Sequence, residues 1–174
     1  MDKKDLIKSF IHFFTVASAS CLSVDTHNNT DVFKIILKVI SKEVKDPKNI
    51  SIVSSSEESF KDFLPSQNNT IQSNSSYKIG IHTVSFYKYD KSLAKSISEN
   101  TNILIFYPCN SMKEKDQIKL MDSCKNVKKT LFLDKNLPSP FNSLRNCNSK
   151  FITLTPNATS NYYQNMKDKL FNIK

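Results

Sequence analysis

Apolar residues recur along the chain with two different periods. In three long segments they return every three to four residues, which is the spacing of an amphipathic helix; these are residues 4–23, 30–45 and 112–127. Shorter helices are predicted after Ser56, from Asp90 to about residue 99, and from Thr159 or Ser160 to about residue 171. Short runs rich in β-branched and aromatic residues predict five strands, at residues 50–53, 77–87, 103–107, 130–133 and 151–154.

The order of these elements predicts the fold class. Strands alternate with helices, and residues 103–107 (Ile-Leu-Ile-Phe-Tyr) are apolar throughout, as in a strand buried on both faces. We therefore expect an α/β protein, a three-layer Rossmann-like sandwich with about five mainly parallel strands flanked by helices. Residues 1–174 are predicted to form a single α/β domain. Residues 64–76 are polar and without a period, so we predict a mobile surface loop there.

The N-terminal segment, residues 1–23, has two interpretations. Its apolar stripe favours a helix of a cytoplasmic protein. The alternative is a signal segment, because lysines precede the apolar run and Ala17-Ser18-Ala19 is a cleavage-like triplet. The next residue but one, Cys21, allows a lipid anchor, which makes an exported or lipid-anchored protein the second reading. No run of 18 apolar residues occurs, so no membrane span is expected.

The composition is lysine-rich and basic, with a formal charge of +9 and a single arginine, Arg145. Lys, Asn, Ile, Phe and Tyr are abundant and have AT-rich codons, so we attribute part of the skew to an AT-rich genome. One ridge of lysines follows the second helix (Lys34, Lys38, Lys42 and Lys45), and a second basic stretch covers residues 113–129. Aromatic residues do not interleave with these lysines along the chain. We interpret them as a solvated surface, with attraction to nucleic acid or anionic lipid as the alternative.

Glycine is nearly absent, and this excludes several chemistries. Only Gly80 is present, so neither G-x-G-x-x-G nor G-x-x-x-x-G-K-[ST] can occur. Phosphate-cradling loops use Gly because its backbone reaches the anion without a Cβ atom. The four cysteines, at positions 21, 109, 124 and 147, match no zinc spacing. We therefore predict no metal site and no cofactor.

Candidate site residues follow the predicted strands, because ligands of α/β sheets bind beyond the carboxyl ends of the strands. Ser54, Ser55 and Ser56 can donate to an anion at a helix N-terminus, or they can cap that helix. The adjacent Glu57 and Glu58 favour the capping interpretation, since they repel phosphate.

Three further side chains are weak catalytic candidates. Cys109 lies between a buried strand and a helix, where a thiolate is stabilised, although a buried thiol is the simpler interpretation. Asp134 and Asp90 end or follow strands, where carboxylates hold Mg²⁺, act as bases, or cap the next turn. His82, inside a predicted strand, is a partner for Cys109 only if the fold brings the two together.

Two segments carry a distant resemblance to a known family. Asp31-Val32-Phe33-Lys34 in a helix, followed by residues 48–55 (Lys-Asn-Ile-Ser-Ile-Val-Ser-Ser), resembles the start of P-loop ATPases of the capsule tyrosine-kinase and cell-division regulator type. Tyr162-Tyr163 is similar to the tyrosine tail of that family. This chain departs from the family because the Gly-rich loop and its Lys are absent. The resemblance therefore implies a degenerate, non-hydrolysing relative.

The function expected from the sequence is that of a non-catalytic Rossmann-like interaction module, which binds another protein in a macromolecular assembly. Three alternatives stay open. The chain is a degenerate P-loop ATPase-like relative, an α/β enzyme with a non-standard site at the carboxyl edge of the sheet, or a basic nucleic-acid-associated protein. The expected partner is a protein, and nucleic acid is the alternative through the lysine-rich surface.

Overall fold

The computed structural model describes residues 3–25, 31–63, 71–93, 97, 99–134 and 151–154, and in this part it contains three α-helices and seven strands. The helices are α1 (Lys3–Thr15), α2 (Asp31–Glu43) and α3 (Glu114–Ser123). The strands are β1 (Cys21–Asp25), β2 (Asn49–Ser54), β3 (Ser76–Ile79), β4 (His82–Lys88), β5 (Ile103–Phe106), β6 (Lys129–Asp134) and β7 (Phe151–Leu154). Short 3₁₀ helices span Glu57–Asp62 and Cys109–Ser111.

All seven strands form one sheet in the order β3-β4-β2-β5-β6-β1-β7. Every neighbouring pair is parallel except β3 and β4. The central strands β2, β5 and β6 are buried at almost every position, because helices and loops cover both faces of the sheet. The predicted three-layer Rossmann-like α/β sandwich is thereby confirmed, with seven strands rather than about five.

The first additional strand is β1, which overlaps the end of the segment expected to be a single helix over residues 4–23. The helix ends at Thr15, and Cys21–Asp25 pairs in parallel with β6 on one side and β7 on the other. Leu22 and Val24 are fully buried. An apolar run that ends in Cys21-Leu22 fits a helical stripe and a buried strand equally well, so periodicity alone could not separate them.

The second additional strand comes from residues 77–87, which were expected to be one bent strand. They form the antiparallel hairpin of β3 and β4, with Gly80 at the turn. Gly80 has φ +60, a conformation that glycine adopts at no steric cost. The only glycine of the chain is therefore used in this turn, close to Ser41, whose hydroxyl would lie 3.1 Å from an added Cβ atom.

Two apolar cores lie on the two faces of the sheet. On the first face, α1, α2 and the 3₁₀ helix Glu57–Asp62 bury side chains against the sheet. On the second face, α3 and the segments that follow β4 and β5 do the same.

Lys129, which the sequence places in the second basic stretch, is bonded within the fold. Its Nζ donates to the carbonyls of Ala17 and Ala19, both at 2.8 Å, and lies 4.7 Å from the Phe13 ring centroid.

Several expectations fall partly or wholly on residues outside the described part of the chain. These are the final helix near residues 160–171, Cys147, the tyrosine pair, and residues 64–70 of the predicted mobile loop. The rest of that loop is described and bonded to its surroundings. Ile71 is buried, Ser73 N donates to Glu57 Oε1 (2.9 Å), and Asn74 N donates to Phe86 O (2.7 Å). Within the described residues, no helix is long and apolar enough to cross a bilayer.

His82, at the start of β4, links the sheet to the end of α2. Its side chain is fully buried, and Nδ1 accepts a hydrogen bond from Lys48 N (3.2 Å). Burial lowers the pKa of His82, and the Lys48 charge lowers it further, while the carbonyls of Ile40 and Val44 oppose the shift. The folded state therefore favours the neutral imidazole.

We predict that the free energy of unfolding falls as the pH drops below about 6.5, the ordinary pKa of histidine. In that window the unfolded chain takes up a proton that folded His82 resists, and the loss is at most about 1.4 kcal/mol for each pH unit. Urea denaturation between pH 7.5 and 5.5 measures it. His82→Gln should flatten the dependence, whereas His12→Gln, at an exposed position, should retain it. An unchanged slope in His82→Gln would contradict the assignment.

Candidate functional site

The carboxyl ends of the six parallel strands lie at one edge of the sheet, and the connections of two neighbours leave this edge in opposite directions. From β2 the chain continues to β3 and β4 on one side, and from β5 it continues to β6 on the other. Such a switch of direction opens the crevice in which α/β sheets of this kind bind ligands. A ligand site is therefore expected at the residues that follow β2 and β5.

On the α2 side, this crevice is filled by the protein's own side chains. Tyr107 follows β5 directly and donates its backbone N–H to Val53 O (3.0 Å). Its ring is 3% exposed and contacts Phe33 (centroids 4.5 Å apart) and Phe63 (5.9 Å) at steep angles. Its hydroxyl donates to Asp62 Oδ2 at 2.6 Å. The crevice therefore holds a packed aromatic cluster on this side.

The ionisation of Tyr107 reflects this packing. Burial raises the pKa of its phenol well above the usual range, and the hydrogen bond and charge of Asp62 raise it further, with a smaller contribution from Asp134. Asp134 is the last residue of β6 and is 8% exposed. The phenol thus stays a neutral hydrogen-bond donor throughout the physiological range.

The three serine candidates lie at the end of β2, and the hydroxyls of two of them accept local hydrogen bonds. Ser54 is fully buried, and its Oγ accepts from Ser56 N (3.1 Å). Ser56 caps the 3₁₀ helix, since its Oγ accepts from Glu58 N (3.2 Å). The expected cap is thus present, and the hydroxyls of Ser54 and Ser56 are already engaged. An anion site at Ser54, Ser55 and Ser56 stays a prediction.

Cys109 lies on the opposite face of the sheet, beneath α3. It follows the cis peptide bond between Tyr107 and Pro108, its side chain is fully buried, and its carbonyl accepts from Gln117 Nε2 (2.6 Å). His82 begins β4 at the amino edge of the sheet, whereas Cys109 lies beyond the carboxyl end of β5. The fold therefore separates this thiol from the one histidine considered as its partner, and its catalytic role stays a prediction.

The two aspartate candidates differ in exposure. Asp90, exposed after β4, accepts from Ser92 N (2.7 Å) and Ser92 Oγ (2.6 Å), and these bonds lower its pKa. Asp134 is buried at the end of β6. Within the described residues, no three His, Cys, Asp or Glu side chains come close enough to hold a metal ion. Catalysis by Asp90 or Asp134 stays a prediction.

A groove of about 500 Å³ opens at the same edge, between the end of β4 and the start of α3. We call it the edge groove, and the residues that define it here are Tyr89, Asp90, Lys91, Lys113, Lys115, Asp116 and Lys119. Tyr89 is held at this edge because its N–H donates to Ser54 O (2.6 Å). Burial raises the pKa of Tyr89, and the interaction of its hydroxyl with the Asp116 carboxylate raises it further.

The edge groove was not predicted from the sequence, because its residues come from two distant segments. Tyr89 and Lys113 are 24 positions apart in the chain, so lysines and an aromatic ring that do not interleave in sequence are neighbours in the fold. A signal was present, since both segments directly follow strands expected to share one edge. The two exit loops together indicate a shared surface at that edge.

The strand order, the parallel pairing and the helices on both faces define a Rossmann-like α/β protein. No protein-family model and no curated protein sequence matches the chain. Its fold is similar to that of solved structures of the large terminase from a thermophilic bacteriophage. One of these has a TM-score of 0.59 at 9% sequence identity and covers 97% of this chain and 49% of that chain.

Two nucleotide complexes of the same terminase are also similar. The complex with ADP has a TM-score of 0.57 at 9% identity, covering 95% of this chain and 49% of that chain. The complex with ATP-gamma-S has a TM-score of 0.57 at 8% identity, with 95% and 48% covered. The chain thus spans about half the length of the solved chains it matches. At this identity the likeness concerns the fold.

We predict that Tyr107→Phe lowers the free energy of unfolding by about 1–3 kcal/mol, since it removes a hydrogen bond to a charged group. Urea denaturation at pH 7 measures this loss. The matched control is Tyr87→Phe, because Tyr87 is half-buried and its hydroxyl has no hydrogen-bond partner among the described residues. Equal losses in the two variants would show that the bond to Asp62 contributes nothing.

Proposed function

We propose that the chain is a non-hydrolysing α/β module that acts by binding another protein in an assembly. The observation that carries this proposal is the filled crevice between β2 and β5. The place where such sheets hold small ligands is occupied by Tyr107, packed against Phe33 and Phe63 and bonded to Asp62. A buried aromatic cluster stabilises the fold, and among the described residues it occupies the α2 side of the crevice.

The use of glycine supports the same proposal. A phosphate loop needs backbone positions without a Cβ atom, and the only glycine of this chain is in the hairpin turn at residue 80. The segment between β1 and α2 reads Thr-His-Asn-Asn-Thr and contains neither Gly nor Lys. The chain is similar in fold to nucleotide complexes of a terminase, and its sequence resembles P-loop ATPases. Both likenesses are consistent with a degenerate relative that retains the scaffold but lacks the phosphate site.

An enzyme with a non-standard site is the alternative, with Cys109, Asp134 or Asp90 as its reacting group. The contacts described above favour it less. Cys109 and Asp134 are buried, and Asp90 is engaged by Ser92. Protein binding requires only a stably folded surface, and the apolar cores on the two faces of the sheet stabilise the fold.

We predict that the protein neither binds nor hydrolyses ATP. Calorimetric titration with Mg²⁺ and ATP-gamma-S should give no saturable heat up to about 1 mM, the upper end of ordinary KM values. Phosphate release from ATP should equal that of a buffer blank. Saturable binding in this range, or turnover above the blank, would overturn the non-hydrolysing assignment.

The partner itself is the subject of a separate prediction. Tagged protein purified from its native host should retain one protein in a fixed ratio, identified by mass spectrometry. Nuclease is added throughout, so that proteins bridged by nucleic acid are lost, and the tag alone serves as the control. The purified pair should then bind with a Kd of about 1 μM or lower, corresponding to about −8 kcal/mol. Failure of every retained protein to bind directly would contradict the proposal.

A further inference from the structure

We infer that the edge groove binds single-stranded nucleic acid. This inference does not rest on the proposed function, because it concerns the α3 side of the sheet edge rather than the filled crevice on the α2 side. The groove measures about 500 Å³ and combines four lysines with the ring of Tyr89 and the apolar side chains of Met112 and Leu120.

The lysine charges of the edge groove are available to a ligand. Lys91, Lys113, Lys115 and Lys119 are exposed, and none of them pairs with a carboxylate in the part of the chain that the structure describes. Asp90 accepts twice from Ser92 instead, and the Asp116 carboxylate interacts with the Tyr89 hydroxyl. The groove thus carries four cations against two anions.

The arrangement of these cations suits a chain of phosphates better than one isolated anion. Lys115 and Lys119 are one helical turn apart on α3, about 6 Å along the axis, so they lie on the same face of the helix. Lys113 precedes this pair, and Lys91 lies on the opposite side of the groove, after β4. A phosphodiester backbone presents one charge per nucleotide and can contact several of these lysines at once.

Tyr89 and its apolar neighbours select among polyanions. Proteins that bind single strands combine a basic groove with aromatic rings on which unpaired bases stack. Tyr89 is half-buried and lines the groove, so part of the residue is accessible to a ligand. A duplex keeps its base faces stacked inside, and an acidic peptide has no bases, so neither would use this ring. The combination of groove lysines and Tyr89 therefore favours a single strand.

The test is fluorescence anisotropy of the full chain with a labelled 20-nucleotide oligothymidine at 50 to 200 mM NaCl. We expect saturable binding whose affinity falls steeply with salt, by about 0.7 in log–log slope for each phosphate contact. The double variant Lys115→Ala/Lys119→Ala should weaken binding at least tenfold at 50 mM NaCl. It should also reduce the slope by about 1.4, since two contacts are removed.

The charge-matched control is Lys34→Ala/Lys38→Ala. These lysines are exposed on α2, on the other face of the sheet. Their substitution therefore removes the same charge as the first double variant without changing the edge groove. This control should change the affinity by less than about threefold, through long-range attraction alone. If the two double variants weaken binding equally, diffuse charge explains the affinity and the inference is wrong.

Substitutions at Tyr89 and Asp90 complete the test. Tyr89→Leu should weaken binding at least about fivefold with the salt slope unchanged, because it removes stacking and no charge. Tyr89→Phe should retain binding. Asp90→Asn removes a negative charge at an exposed position and should tighten binding, an outcome that damage to the fold cannot imitate. A duplex of the same length, or polyglutamate, competing as well as the single strand would overturn the assignment.

Discussion

The structure depends on the burial of β5 between two apolar layers. All four of its residues, Ile103–Phe106, are at most 3% exposed, and they alternate between the two cores. Ile103 and Ile105 contact the α1 and α2 layer, while Leu104 and Phe106 contact the α3 layer. Because β5 is central and parallel to both neighbours, its burial holds β2 and β6 in register and directs their carboxyl ends to one edge.

That shared edge has two sides with different chemistry. On the α2 side, Tyr107 continues the apolar alternation of β5 and joins an aromatic cluster, so the crevice is packed. On the α3 side, the exit from β4 and the start of α3 leave an open groove lined by lysines. One edge of the sheet therefore combines a packed aromatic cluster on the α2 side with an open, lysine-lined groove on the α3 side.

Much of the fold could be predicted from local patterns, and the failures have physical causes. The amphipathic pattern of α2 and the cap at Ser56 were predicted correctly, because both depend on residues within one or two turns. β1 was missed because its burial depends on pairing with β6 and β7, more than 100 residues away. The hairpin of β3 and β4 was missed because apolar residues continue on both sides of Gly80, so residues 77–87 were predicted to form one strand. Lys129 looked like a surface charge, but carbonyls of the segment between α1 and β1 hold it.

The amino-acid sequence by itself determined the fold class and the lack of a glycine-based phosphate loop. Both follow from composition and periodicity, which no packing can alter. The tertiary structure alone decided which of the candidate site residues lie close together. It separated Cys109 from His82 by placing them at opposite edges, and it filled the crevice with Tyr107. It also brought Tyr89 to lysines that lie 24 or more positions further along the chain, because parallel strands deliver distant segments to the same edge.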